Sequence, residues 1–152
     1  MRRGLRGVKP VLIVSLAVLL LGGTKPVCAS QWNWSFTGAG VTASGAFTTE
    51  ATPDARGFYR ITGITGTANG GTITGLQTPG TAVPGNTGYP VDNLVSSNGP
   101  QLTAHGFGFA VSSGEYHNPF YHEGYLDYVS RPPYADGAGA EPGVDFRAAL
   151  VP

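Results

Sequence analysis

Charge and thiol are scarce in this sequence: only 12% of its residues are Asp, Glu, Lys or Arg, and Cys28 is its sole cysteine. An intrachain disulfide and a zinc site built on several thiolates are therefore excluded. Lysine ends at Lys25. Beyond residue 29 the basic residues are Arg56, Arg60, Arg131 and Arg147 against nine acids, a net charge of −5. Phosphate backbones and anionic lipid heads are held by clustered Lys and Arg, so nucleic-acid binding is not expected. Runs of Leu, Lys and Glu at helical spacing are missing too. Together with 24 Gly, 12 Pro and abundant Thr, that absence points to an all-β domain with no helix longer than a turn or two.

What is present begins with a targeting segment. Arg2, Arg3, Arg6 and Lys9 precede an apolar run, Val11 to Leu21, and Val27-Cys28-Ala29 places small residues at −3 and −1 of a signal-peptidase site. The run is 11 residues long, against the roughly 20 of a spanning helix, so cleavage after Ala29 is expected and residues 1–29 form a signal peptide. Lys25-Pro26-Val27 does not fit the lipobox that acylation of Cys28 would need. Residues 30–152, 123 in all, are one domain by size. It meets the membrane only through the signal peptide before cleavage.

The domain is organised around Gly57 to Leu76, where β-branched residues run into Asn69-Gly70 and out again, the strongest short-range hairpin signal. Before it, Trp32, Trp34 and Phe36 alternate with Asn33 and Ser35 in a half-buried strand. Gly38-Ala39-Gly40 then turns the chain into a second strand, Val41 to Thr49. Gly45, inside that strand, marks a bulge, a bend or a close backbone approach. Gln77 to Pro90 reads as a long loop and the first place to look for function or disorder. Val91 to Val95 and Gln101 to Ser112 make a third hairpin, with His105, Phe107, Phe109 and Val111 on one face and Ala104, Gly106, Gly108 and Ala110 on the other. The small-residue face must lie against something close or open to a bend. Tyr125 to Ser130 and Val144 to Leu150 complete about eight short strands, with Arg131 to Gly143 as a Pro/Gly loop. An antiparallel meander closed as a β-barrel or β-sandwich is the natural solution, because one flat sheet would expose two edges.

Several phrases occur in a telling order: W-x-F-T-G-x-G-V-T-A-S-G-x-F-T-T from Trp34, T-P-D-A-x-G-F-Y-x-I-T-G-I-T-G-T from Thr52, T-I-T-G-L from Thr72, Y-P-V-D-N-L-V from Tyr89 and Q-L-T-x-x-G-F-G-F from Gln101. In these the chain resembles a family of secreted bacterial proteins that usually carry a PEP-CTERM sorting tail. The resemblance runs from Trp34 to about Val151. It implies export across the inner membrane, processing by an exosortase, and no assigned catalytic chemistry. Such tails begin Val-Pro-Glu-Pro; here the sequence reads Val151-Pro152 with no apolar helix or basic end after it, so the tail is expected to be absent or cut off.

The most varied stretch is Glu115 to Asp127. His117, His122 and Glu123 are nitrogen and oxygen ligands of the kind a divalent metal accepts, but their spacing matches no recognised site. Glu115, Glu123 and Asp127 could supply the paired carboxylates of a glycosidase. A serine hydrolase lacks its G-x-S-x-G elbow, and His105 is the histidine that looks buried. The simpler reading makes the stretch polar scaffold. Tyr116, Tyr121 and Tyr125 belong to a cluster of rings that either fills the core or forms a platform on which sugars stack. The expectation is an exported, non-enzymatic β-domain of the envelope or extracellular matrix, located in the periplasm, at the cell surface or outside the cell. It needs no cofactor, and its partners would be extracellular polysaccharide or envelope proteins. The alternative is a carbohydrate- or small-ligand-binding module, with a metal-dependent enzyme third.

Overall fold

The computed structural model describes residues 28–38, 40–86, 88–121, 134–136 and 143–152. The expected strand Tyr125 to Ser130 and the signal segment up to residue 27 lie outside them. Among the described residues there are ten strands and no helix: β1 Ser30–Gly38, β2 Val41–Thr49, β3 Phe58–Ala68, β4 Gly71–Leu76, β5 Leu94–Ser96, β6 Phe109–Val111, β7 Tyr116–His117, β8 Pro119–Tyr121, β9 Tyr134–Asp136 and β10 Gly143–Leu150. All pairings are antiparallel, so the domain is all-β as its composition requires.

The hydrogen-bonded order is β7-β6-β4-β3-β2-β1-β10-β9-β8, with β5 beside β3. The two ends of this path, β7 and β8, are consecutive in the chain and separated by Asn118 alone. The meander therefore curls into a half-barrel whose two edge strands are joined through Asn118. Pro119, which has no N–H to give a ladder, opens β8, a position that suits proline.

The hairpins follow their sequence signals. Asn69 (φ 48°) and Gly70 (φ 82°) both occupy the left-handed region, the two-residue turn whose twist matches that of the flanking strands. The β3–β4 ladder is short, Thr67 facing Thr72 and Ala68 facing Gly71, because β4 then leaves to pair with β6. The vacated edge of β3 takes β5 at Phe58 to Arg60.

On β1, Trp32, Trp34 and Phe36 point inward. Their partners on β2 are Phe47, Gly45 and Ala43, and beyond these on β3 stand Ile64, Gly66 and Ala68. Trp34 and Phe36 thus stand beside small residues on the neighbouring strands, which leaves room for their rings, while Trp32 stands beside Phe47. Gly45 and Gly66 are direct partners, and a Cβ on Gly45 would overlap the Thr65 carbonyl oxygen and lie 2.8 Å from Gly66 Cα. Of the three alternatives the sequence leaves open for Gly45, close backbone approach is the one realised. Trp34 stacks on Phe47 at 5.2 Å, Phe107 meets Phe47 edge-on at 4.9 Å, and Phe107 stacks on Phe109 at 5.9 Å. Such rings bury roughly 150–250 Å² each and dominate the driving force for folding. Trp32 Nε1 donates to Thr49 Oγ1 (3.1 Å), which satisfies that indole inside the core.

Three sequence expectations change here. Gln101 to Ser112 is not one strand: Thr103 Oγ1 accepts from the His105 and Gly106 backbone N–H groups, and Gly106 turns through φ 59°. Arg131 to Gly143 is not wholly loop, since β9 pairs with both β8 and β10. Gln77 to Pro90 is pinned rather than loose. Gln77 N donates to Gly108 O (2.7 Å), Val91 N to Thr81 O (2.9 Å), Val83 is fully buried, and Asn86 Nδ2 donates to Asn118 Oδ1 (3.0 Å). This loop is what lies against the small-residue face: a Cβ on Gly108 would come within 2.6 Å of Val83 Cγ1. Gly106, on the same face, abuts the backbone of Pro119 and Phe120.

Candidate functional site

Of the Glu115 to Asp127 stretch, residues 115–121 are described. His117 points inward, 4% exposed, with its ring stacked on Phe109 at 5.2 Å and close to Phe36 at 6.2 Å. It is a core histidine rather than a polar loop residue. His122, Glu123 and Tyr125 lie outside the described residues, so of the three candidate metal ligands only His117 is placed. Among the described residues no three His, Cys, Asp or Glu side chains gather as a metal would need. Tyr116 and Tyr121 are both half-buried. Alternation with His117 turns Tyr116 outward, whereas Tyr121 packs on the core, so these two do not form one stacking platform. His105, expected to be buried, is exposed, and its Nδ1 lies 2.9 Å from the Pro90 carbonyl oxygen.

Two surface concavities carry polar chemistry that sequence reading does not find. The first, about 270 Å³, is lined by Arg60, Pro79, Gly80, Pro90, Val91, Asp92, Leu94 and His105. Asp92 Oδ2 accepts a 2.7 Å hydrogen bond from Thr103 Oγ1, while Oδ1 is buried with no hydrogen-bond partner among the described residues. Burial pushes this carboxyl above its ordinary value; the Thr103 hydrogen bond and the nearby His105 pull the other way. The Asp92 and Asn93 N–H groups both reach Gly106 O, at 3.2 and 2.9 Å. Asn93 (φ 55°) is itself wholly buried, donating to Gln77 O and accepting from Gly108 N. This cleft therefore belongs to a clasp that ties segment 90–93 to segment 103–108.

The second concavity, about 450 Å³, lies over β1 and β10 and is lined by Asn33, Trp34, Ser35, Gln101, Arg147, Ala148 and Ala149. Asn33 faces Ala149 and Ser35 faces Arg147 across the ladder, so the small Ala149 leaves a hollow between longer polar side chains. At the edge of β10, the Gln101 amide behaves like one residue of an added strand. Its Nε2 donates to Ala148 O (2.6 Å), and its Oε1 accepts from Ala148 N (3.0 Å). Among the described residues, Arg147 is held only by Asp145, 3.4 Å away, in a pair open to solvent. The hollow offers an amide, a hydroxyl and a guanidinium to whatever lies in it.

No family model matches this chain, and neither a curated protein nor a solved structure is significantly similar to it.

Proposed function

We propose that this chain is an exported, non-enzymatic β-domain that serves in the cell envelope or extracellular matrix. The observation that carries this reading is the filled interior. Trp34, Phe47, Phe107 and Phe109 interlock where a ligand-binding barrel would keep a cavity, so the domain meets its surroundings through its outer surface. Export is supported by the order of elements. β1 begins at Ser30, immediately after the expected cleavage point, and Cys28 and Ala29 are exposed ahead of it, so cleavage there leaves every described strand in place. The resemblance to secreted proteins of the PEP-CTERM type points the same way. The partners that suit such a role are extracellular polysaccharide or envelope proteins. The test is fractionation of bacteria producing the tagged chain, with antibody labelling of intact cells. Protein in the envelope, matrix wash or medium is expected; a chain confined to the cytoplasm would overturn the reading.

A further inference from the structure

We infer that the outer face of the β10-β1-β2-β3-β4 sheet binds a neutral polysaccharide, with the hollow between Asn33, Ser35 and Arg147 as its deepest subsite. This deepens the matrix reading and rests on it for the presence of such a polymer. Ser35 stands opposite Ser44, Ser44 opposite Thr67 and Thr67 opposite Thr72, so four hydroxyls on four adjacent strands form one row, spaced by the interstrand distance of about 4.8 Å. Thr37 and Thr42 form a parallel pair on one side, and Asn33, Ala46 and Thr65 a row on the other. Ser35, Ser44, Thr65 and Thr67 are exposed, and no described group bonds their hydroxyls. The row ends at Ser35, on the rim of the 450 Å³ hollow.

The chemistry of this face narrows the occupant. From β1 to β4 the outward positions carry one charge, Arg60 near the start of β3, far along the strand from Thr67 and paired with Glu50, and on β10 Asp145 offsets Arg147. Nucleic acid needs a basic footprint, which is missing. Anionic polymers would meet a domain of net charge −5. A protein partner is anchored by aromatic and large apolar side chains at the centre of the patch, and here every such side chain of β1 points inward. A neutral glycan matches what is present. Its hydroxyls both donate and accept, as Ser, Thr, Asn and Gln do, and the Arg147 fork supplies further donors at the hollow. Each exposed hydrogen bond contributes little alone, so affinity comes from repetition along the polymer.

The experiment sediments the exported protein with particles of cellulose, chitin or β-1,3-glucan, and in parallel with alginate gel. The expected result is retention on at least one neutral polysaccharide and none on alginate. The triple variant Ser35→Ala, Ser44→Ala, Thr67→Val keeps the shape of the strands and should bind at least 10-fold more weakly. Arg147→Ala, on the rim of the hollow, tests the subsite without touching the sheet interior and should weaken binding several-fold. Thr52→Val, away from the face, should bind as the parent does. If the parent binds no neutral polysaccharide, or binds alginate equally well, the inference fails while the export reading still stands on fractionation. If the parent binds but the triple variant and Arg147→Ala bind undiminished, the inference fails too, because this face is then not the site.

Discussion

Replacing Gly45 by alanine puts a methyl group where the structure has backbone. The new Cβ would overlap Thr65 O and approach Gly66 Cα to 2.8 Å, and neither group can swing aside as a flexible side chain would. β2 and β3 would have to part at the centre of a ladder that runs from Ala43–Ala68 to Thr49–Ile61, beneath the Trp34–Phe47 stack. Overpacking a well-filled core costs about 1–3 kcal/mol, and a clash with backbone belongs at the upper end, so a loss of about 2–3 kcal/mol is expected. The control lies on the same strand pair. A Cβ on Gly63 would sit 3.6 Å from Thr48 Cβ, ordinary van der Waals contact, and Gly63→Ala should be neutral or gain up to about 1 kcal/mol from reduced chain entropy. Urea titration of parent and both variants reads the difference through the midpoint at constant slope. If Gly45→Ala is no more destabilising than Gly63→Ala, the close approach of β2 and β3 is wrong.

Further expectations follow from particular residues. Because burial raises the Asp92 carboxyl in the folded state, the folded chain holds that proton at pH values where the unfolded chain has released it. Stability attributable to this group therefore falls as pH rises from the ordinary 3.8 through the raised value, and Asp92→Asn should flatten the fall; an unchanged pH slope of the melting temperature would refute this. His117→Ala removes a ring packed on Phe109 and Phe36 and should cost about 2 kcal/mol or more by chemical denaturation, whereas a loss under about 0.5 kcal/mol would return the residue to the surface. Gly70→Val places a β-branched residue at φ 82° and should destabilise by about 1 kcal/mol or more; an unchanged melting temperature would contradict the turn.

The parts of the fold legible in the sequence are those in which one short-range rule decides. Strict alternation over Trp32, Trp34 and Phe36 identifies β1 and its inward face, and Asn69-Gly70 identifies the β3–β4 turn because few other residues accept positive φ twice. Gly45 is legible as a special position, but its reason appears only when Gly66 is brought opposite it. The inversion of the histidines shows where such rules fail. His105 keeps phase with Phe107, yet the Thr103 hydroxyl turns the chain before the phase can act. His117 lies in a two-residue strand, too short to show any period, and its burial depends on Phe109, opposite it on β6, and on Phe36 of β1, far back in the chain. The polar hollow is least legible of all, since Gln101 and Ala148 meet across 47 residues of chain.

The export of this domain is tested most directly by the N-terminus of the protein recovered outside the cytoplasm. β1 starts at Ser30 and pairs with β2 from its first residue, Ser30 with Thr49, so cleavage at Ala29 leaves every described strand in place. N-terminal sequencing together with intact mass should give a chain beginning at Ser30. Recovery of a chain beginning at Met1, or of a lipid-modified Cys28 at the terminus, would contradict the account.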